Sequence, residues 1–189
     1  MIDNLSSNES EQSNQLVVIK TTDICAKGRH LEDILSNFCN NDFCYDGVQC
    51  KCMAAFLQSL KYKDEKQQRD ICFTFGDCVS KYSNADWQKD QIVWWKGLPM
   101  DRQSPEYLDF VNEAYQSMFL WCGRFRNALM ETEGKQLLYD SGRKDPYKTI
   151  LTDQEFCKIL TDLREHHKGE SLNYPRMWPS SYGVDEDYE

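Results

Sequence analysis

Long apolar runs, paired cysteine hooks and complete catalytic signatures are all missing from this chain of 189 residues. No stretch of roughly eighteen apolar residues occurs, so no membrane span is expected. There is no G-x-S-x-G, P-loop, H-E-x-x-H or G-x-G-x-x-G. That leaves serine hydrolases, P-loop nucleotidases, zincins and dinucleotide-binding enzymes without a marker. Only three histidines are present. His166 and His167 fall at a helix end, where the dipole favours positive charge, and read as structural. Basic residues are short too: 22 Lys and Arg face 31 Asp and Glu, a net charge of −9. A broad duplex-binding face is therefore not expected, although a small basic pocket is compatible with that balance.

The negative charge is uneven. Asp3, Glu9 and Glu11 lie in residues 1–15, and Asp185, Glu186, Asp187 and Glu189 stand against Arg176 in the last stretch. Residues 1–15 read as disordered from composition, and 169–189 as an irregular acidic tail. Between them, 16–168 is expected to form one domain: 40% of the chain is apolar and 13% aromatic, enough to build a core. The polar start lacks the pattern of a secretory signal, so a cytoplasmic protein is expected, in the host cytoplasm if viral. Nine cysteines, an odd number, suit that reducing setting. Cys39, Cys44, Cys50 and Cys52 cluster as C-x4-C-x5-C-x-C, without the C-x2-C hooks of common zinc sites. They are read as small apolar residues near the core, and no metal or cofactor is expected.

What is present is mostly helical patterning. Leu16–Ile19 is a β-prone run. Asp46-Gly47 signals a turn directly after Phe43-Cys44-Tyr45, and a short hairpin is plausible there. A helix is expected from about Cys50 to Tyr62: Met53, Phe56, Leu57 and Leu60 make one apolar stripe. Ala54, Gln58 and Lys61 share the neighbouring stripe. A second helical stretch runs from Asp64 to Phe75. Gln91–Trp95 reads as a strand or a helix end, stopped by Gly97 and Pro99. Ser104-Pro105-Glu106 is a helix start. Gly123 divides that helix from the next, Leu137–Tyr139 is a strand candidate, and Thr152-Asp153-Gln154-Glu155 is a capping box. The expected class is α+β, a predominantly helical single domain with a few short strands.

Candidate pocket cations are Lys61, Lys63, Lys66, Arg69, Arg102, Arg124, Arg126, Arg143, Lys144 and Lys148. For each, the competing reading is a solvated surface residue. Trp94 and Trp95 are candidates to stack on a base, against burial in the core. Arg102 has the rigid fork that suits a phosphate, against an ion pair.

Leu35-Ser36-Asn37-Phe38, followed by Asp46-Gly47 and then Met53–Lys61, resembles the NADAR family of N-glycosidases. Trp94-Trp95-Lys96-Gly97, Arg102-Gln103-Ser104, Glu106-Tyr107, Ser141-Gly142 through Asp145-Pro146, Thr149–Thr152 and Glu155-Phe156 are similar to a branch of it found in phages and some bacteria. The resemblance covers about residues 23–165. It implies a NADAR-type fold and hydrolysis of a ribose–nitrogen bond. For this branch it implies removal of ADP-ribose from guanine in DNA, countering an ADP-ribosylating toxin or anti-phage defence. The substrate would be a single-stranded or flipped guanine and the protein a monomer. A small nucleotide or riboflavin-pathway substrate, or a non-catalytic ADP-ribose-binding module, are the alternatives.

The resemblance also assigns roles. Ser36, Asn37, Phe38, Asp46, Gly47, Gln58, Trp94, Trp95, Arg102, Ser141 and Gly142 would bind the ligand. Lys61 would be the nucleophilic amine, against a snorkelling surface lysine at a helix edge, and Asp145 is a candidate second acid, with loop capping its equal competitor. The family's helix carries a glutamate seven residues before its lysine, and here that position is Ala54. Alanine can neither give nor take a proton, so this copy is expected to be inactivated by a glutamate-to-alanine substitution. A natural binding protein that has lost catalysis, or a shifted alignment of the helix, compete with that reading.

Overall fold

One glutamine side chain and a handful of tight turns decide how the short elements of this chain meet. In the computed structural model, residues 16–19 and 30–169 are described. The N-terminal fifteen residues and the acidic tail from 170 onward lie outside them. The order is β1 (Leu16–Val18), α1 (Leu31–Ile34), β2 (Phe43–Tyr45), β3 (Val48–Cys50), α2 (Met53–Ser59) and α3 (Glu65–Cys72), then two 3-10 turns, Gly76–Tyr82 and Asp86–Gln88. It continues β4 (Ile92–Trp95), β5 (Leu98–Asp101), α4 (Pro105–Trp121), α5 (Gly123–Met130), β6 (Gln136–Leu138) and α6 (Asp153–His166). The described residues form a small α+β domain with three two-stranded sheets, β1 parallel to β6 and the hairpins β2–β3 and β4–β5. No described helix is long and apolar enough to cross a membrane.

Local chemistry accounts for most boundaries. In both hairpins the two loop residues take positive φ: Asp46 and Gly47 at 48° and 75°, Lys96 and Gly97 at 47° and 76°. That pairing is the type I′ turn whose twist matches antiparallel strands. The β4–β5 hairpin corrects the sequence expectation, which took Pro99 as a stop. Pro99 sits opposite Trp94 in a strand with no further partner among the described residues, where a missing N–H is tolerated. The first long helix is also shorter than expected. Val48–Cys50 is spent on the hairpin, Cys52 is the N-cap, and the chain leaves α2 after Leu60. Ser104 caps α4 by accepting the Tyr107 N–H, with proline in the first turn. Thr152 and Glu155 close a full capping box on α6.

Helix α4 is the spine, burying Tyr107, Val111, Ala114, Tyr115, Met118 and Phe119 against β2, α5 and α6. Beside it Tyr45, Phe56, Trp95 and Phe110 form an aromatic cluster with centroids 5.2–6.0 Å apart. Cys39, Cys50, Cys52 and Cys72 are fully buried among these elements.

The α2–α3 corner is strapped to β4 by Gln68. Its amide donates to the carbonyls of Tyr62 and Trp94, each at 2.7 Å, and accepts the Lys96 N–H at 2.8 Å. The Trp94 N–H in turn donates to the Leu60 carbonyl at 2.8 Å. Replacing Gln68 by leucine keeps the volume and leaves three backbone groups without their partner. We expect a loss of about 2–4 kcal/mol, seen as a lower urea midpoint with unchanged slope.

Candidate functional site

The Ser36–Phe38 turn and the first turns of α2 build one wall of a narrow cavity. The Phe38 N–H lies 3.4 Å from Ser36 Oγ, and the Ala54 N–H donates to the Asn37 carbonyl at 2.8 Å. Tyr115, buried in α4, donates to Asn37 Oδ1 at 2.6 Å. That fixes the amide and leaves its NH2 group as a donor for a ligand. The opposite wall is the loop from Tyr139 to Thr152. The Asp153 carboxylate accepts the Ser141 and Arg143 N–H groups at 2.9 and 3.1 Å and the Ser141 hydroxyl. The Asp153 N–H returns to the Arg143 carbonyl. Arg143 is thereby placed opposite α2.

The cavity between these walls is lined by Asn37, Phe38, Ala54, Gln58, Arg143 and Thr152 among others, and no carboxylate of the described residues lines it. Its volume is about 20 Å³, room for a single water. Gln58 Oε1 is buried and has no hydrogen-bond partner among the described residues. It is an acceptor left for a hydroxyl.

Just beyond the end of α2, Lys61 lines an adjoining groove of about 230 Å³ with Lys63, Asp86, Trp87, Asp90 and Trp94. Burial, and then the nearby Arg143 charge, push the Lys61 ammonium down to about 8. Both causes disfavour the charged form. A useful fraction of neutral amine therefore exists near physiological pH, which an ordinary surface lysine lacks.

The structure thus brings Asn37, Phe38, Ala54 and Gln58 to one cavity, and Lys61 and Trp94 to the groove beside it. The other sequence candidates stand elsewhere. Trp95 points opposite to Trp94, as successive strand residues do, and is buried in the aromatic cluster. Its indole N–H donates to the Asp46 carboxylate at 2.9 Å, which Lys96 also pairs at 2.8 Å. These two contacts lower the Asp46 carboxyl below its usual range. Asp46 and Gly47 form the β2–β3 turn. Arg102 is 2% exposed and pairs with Glu155 at 2.7 Å instead of lining either cavity. Asp145 accepts the Tyr147 N–H at 2.9 Å and faces Lys148 at 3.6 Å, as a loop cap. Ser141 and Gly142 shape the loop that carries Arg143. Sequence reasoning named Arg143 only as one of ten cations, and missed Asp153. Asp153 acts on a loop ten or more residues earlier, and no local pattern announces that.

The architecture is a small α+β fold with a cavity at the start of α2. It is similar to the solution structure of YbiA from E. coli, with TM-score 0.56 over 81% of this chain and 84% of that one. At 14% identity this likeness concerns the fold. The chain belongs to the bacteriophage protein GP30.3 family, whose model matches residues 29–165. A relative from Enterobacteria phage T4, a 17.1 kDa protein of the Gp30–rIII intergenic region, is 34% identical over 137 residues, covering 69% of this chain and 88% of the relative.

Lys61 can be read directly. Its ammonium should titrate with a midpoint near 8 when followed by NMR at the ε-carbon. Replacing Arg143 by alanine removes one of the two depressing causes, so the midpoint should rise. A depressed lysine binds fewer protons folded than unfolded between about 8 and the ordinary value. In that window its contribution to stability grows as pH rises, and below it the burial cost is fully present. A midpoint at the ordinary value, unmoved in Arg143→Ala, would mean that the amine is solvated.

Proposed function

We propose that the chain has the architecture of an N-glycosidase that cleaves a ribose–base nitrogen bond, and that its substrate is ADP-ribosylated guanine in DNA. The observation that supports this best is the juxtaposition of a desolvated lysine, Lys61, with a cavity offering Asn37 and Gln58 as hydrogen-bonding groups and Arg143 as a fixed cation. The neutral amine adds to C1′ of the ring-opened sugar. The base nitrogen then leaves with a proton, and water hydrolyses the imine, returning Lys61 and the sugar aldehyde. The cavity has room for one water-sized group, so Asn37 and Gln58 there meet a single ribose hydroxyl, and the Arg143 charge attracts the diphosphate. Membership of a phage protein family fits a protein that reverses ADP-ribosylation aimed at phage DNA. The acidic net charge leaves recognition to the modified nucleotide itself.

The step that this copy lacks is proton transfer. Ala54 lines the cavity, so a longer side chain there enters it. A glutamate at 54 would protonate the leaving nitrogen, a role worth about 10²–10⁴ in rate. In this reading residues 16–168 are a catalytic domain disarmed at one position. One observation favours a second reading, a non-catalytic ADP-ribose binder: no carboxylate among the described residues lines the cavity.

Ala54→Glu decides between them. Incubated with an ADP-ribosylated oligonucleotide and followed by mass spectrometry, the variant should release ADP-ribose at least about 100-fold faster than the parent. Lys61→Ala in the same background should abolish the gain. ADP-ribose raising the melting temperature, with no turnover before or after Ala54→Glu, would establish the binder and sink the hydrolase. Turnover of free ribosylamino-pyrimidine nucleotides but not of the oligonucleotide would move the substrate to small molecules.

A further inference from the structure

Three glutamines hold one short segment of backbone. The Gln103 amide donates to the Pro146 carbonyl at 3.1 Å, Gln91 to that of Tyr147 at 3.1 Å, and Gln88 to that of Lys148 at 2.7 Å. Gln91 is fixed in turn: its amide also donates to the Gln88 carbonyl at 2.8 Å and accepts from Gln103 at 2.8 Å. It takes a φ of 62°, costly for a residue with a Cβ, and its carbonyl is held by the Arg102 N–H at 2.8 Å. Asp145 caps the same segment, accepting the Tyr147 N–H at 2.9 Å on its carboxylate and the Lys148 and Thr149 N–H groups on its carbonyl. Both backbone polar groups of Tyr147 are therefore spent within the protein, while its side chain is 60% exposed.

A large ring kept in water on a segment this firmly held is a pre-organised contact, since its backbone is ordered before anything binds. Its surroundings say what it fits. Residues 140–148 carry Arg143, Lys144 and Lys148 against Asp140 and Asp145, on a chain of net charge −9. Lys144 and Lys148 are exposed. Their pairs with Asp140 and Asp145, at 3.8 and 3.6 Å, are surface pairs worth little by themselves and easily exchanged for a phosphate. The segment borders both parts of the candidate site. Arg143 lines the cavity, and Gln88 ends the Asp86–Gln88 turn, whose Asp86 and Trp87 line the groove beside Lys61. An exposed aromatic face with free cations near it in the chain is the complement of an unpaired base and its phosphates. We propose that the 143–148 segment is a docking surface for single-stranded DNA. Tyr147 stacks on a base next to the one in the site, and Lys144 and Lys148 meet the flanking phosphates. The surface selects a strand over a free nucleotide, and it rests on the N-glycosidase reading only for DNA as the strand's identity.

The test is binding of an unmodified single strand of about ten nucleotides to the full chain, followed by fluorescence anisotropy. The strand should bind more tightly than the duplex of the same sequence. Tyr147→Ser should weaken it about tenfold, and Tyr147→Phe, which keeps the ring, should not. Replacing Lys144 and Lys148 by glutamine should lower the slope of log affinity against log salt by about 1.4, the loss of two phosphate contacts. All three side chains are exposed, so the melting temperatures should not change. Absence of strand binding, equal binding of the duplex, or an affinity untouched in Tyr147→Ser would each overturn the surface. So would self-association that Tyr147→Ser abolishes and the strand does not disturb, which would make the segment a contact between copies of the chain. Strand binding lost in Tyr147→Ser, in a protein that cleaves nothing even as Ala54→Glu, removes the hydrolase and keeps the surface. Cleavage of a subsaturating modified oligonucleotide by Ala54→Glu, undiminished in Ala54→Glu/Tyr147→Ser, does the reverse.

Discussion

The ion pair between Arg102 and Glu155 is the constraint from which the candidate site hangs. The guanidinium is almost wholly buried, donates to Glu155 at 2.7 Å and to the Thr149 carbonyl at 3.2 Å, and lies 4.8 Å from the centre of the Tyr107 ring. The same Glu155 oxygen accepts the Thr152 N–H at 2.7 Å. One pair thus ties the end of β5, the start of α4, the 149–152 segment and the first turn of α6. From that turn Asp153 reaches back to fix Ser141 and Arg143. A buried pair of this sort gains little over apolar packing, but removing either partner strands the other charge, at a cost of about 3–5 kcal/mol. The wall of the cavity opposite α2 is therefore only as firm as this contact.

The other wall depends on backbone pairing. Lys61 follows a helix of seven residues, too short to persist alone. What holds it is tertiary: Trp94 N–H to the Leu60 carbonyl, Gln68 across Tyr62 and Trp94, and Asn37 beneath Ala54. The pleat of β4 then does two jobs with adjacent residues. Trp95 fills the aromatic cluster against Phe56, and Trp94 is left along the groove. Core packing and a ligand surface come from one strand because its side chains alternate.

Much of the fold was legible where the signal is local. The capping box at Thr152, the Ser104-Pro105 start, the Asp46-Gly47 turn and the strand near Leu137 all depend on a few neighbouring residues, and the structure has each of them. Pro99 misled, since an edge strand tolerates what a central strand would not. The start of the first long helix misled as well, because the hairpin takes Cys50 and the helix is capped only at Cys52. The site was legible unevenly. The stripe Ala54, Gln58 and Lys61 follows from helical spacing and family resemblance, and its members line the cavity or the groove beside it. Arg102 and Trp95 have the right chemistry for a ligand, and tertiary partners take them instead. Asp153 and Tyr147 carry no sequence signal, since what distinguishes them is anchoring to segments distant or irregular in the chain.

Charge gives the proposed function its final twist. Among the described residues the lining of the cavity includes Arg143 and no carboxylate, and Lys61 beside it is depressed by burial and by that arginine. An anionic diphosphate entering such a site is attracted by both groups. It also gives Lys61 a charge partner that offsets burial, which raises the lysine and protonates it. A protonated amine cannot attack C1′. On the proposed reading, a bound diphosphate strengthens its own binding and lowers the fraction of neutral amine that can attack. A glutamate at 54 would change each part of that balance. It would repel the diphosphate, weaken retention, and supply the proton path that lets the amine turn over. On the function proposed above, affinity and catalysis are opposed at this one position, and alanine there favours affinity.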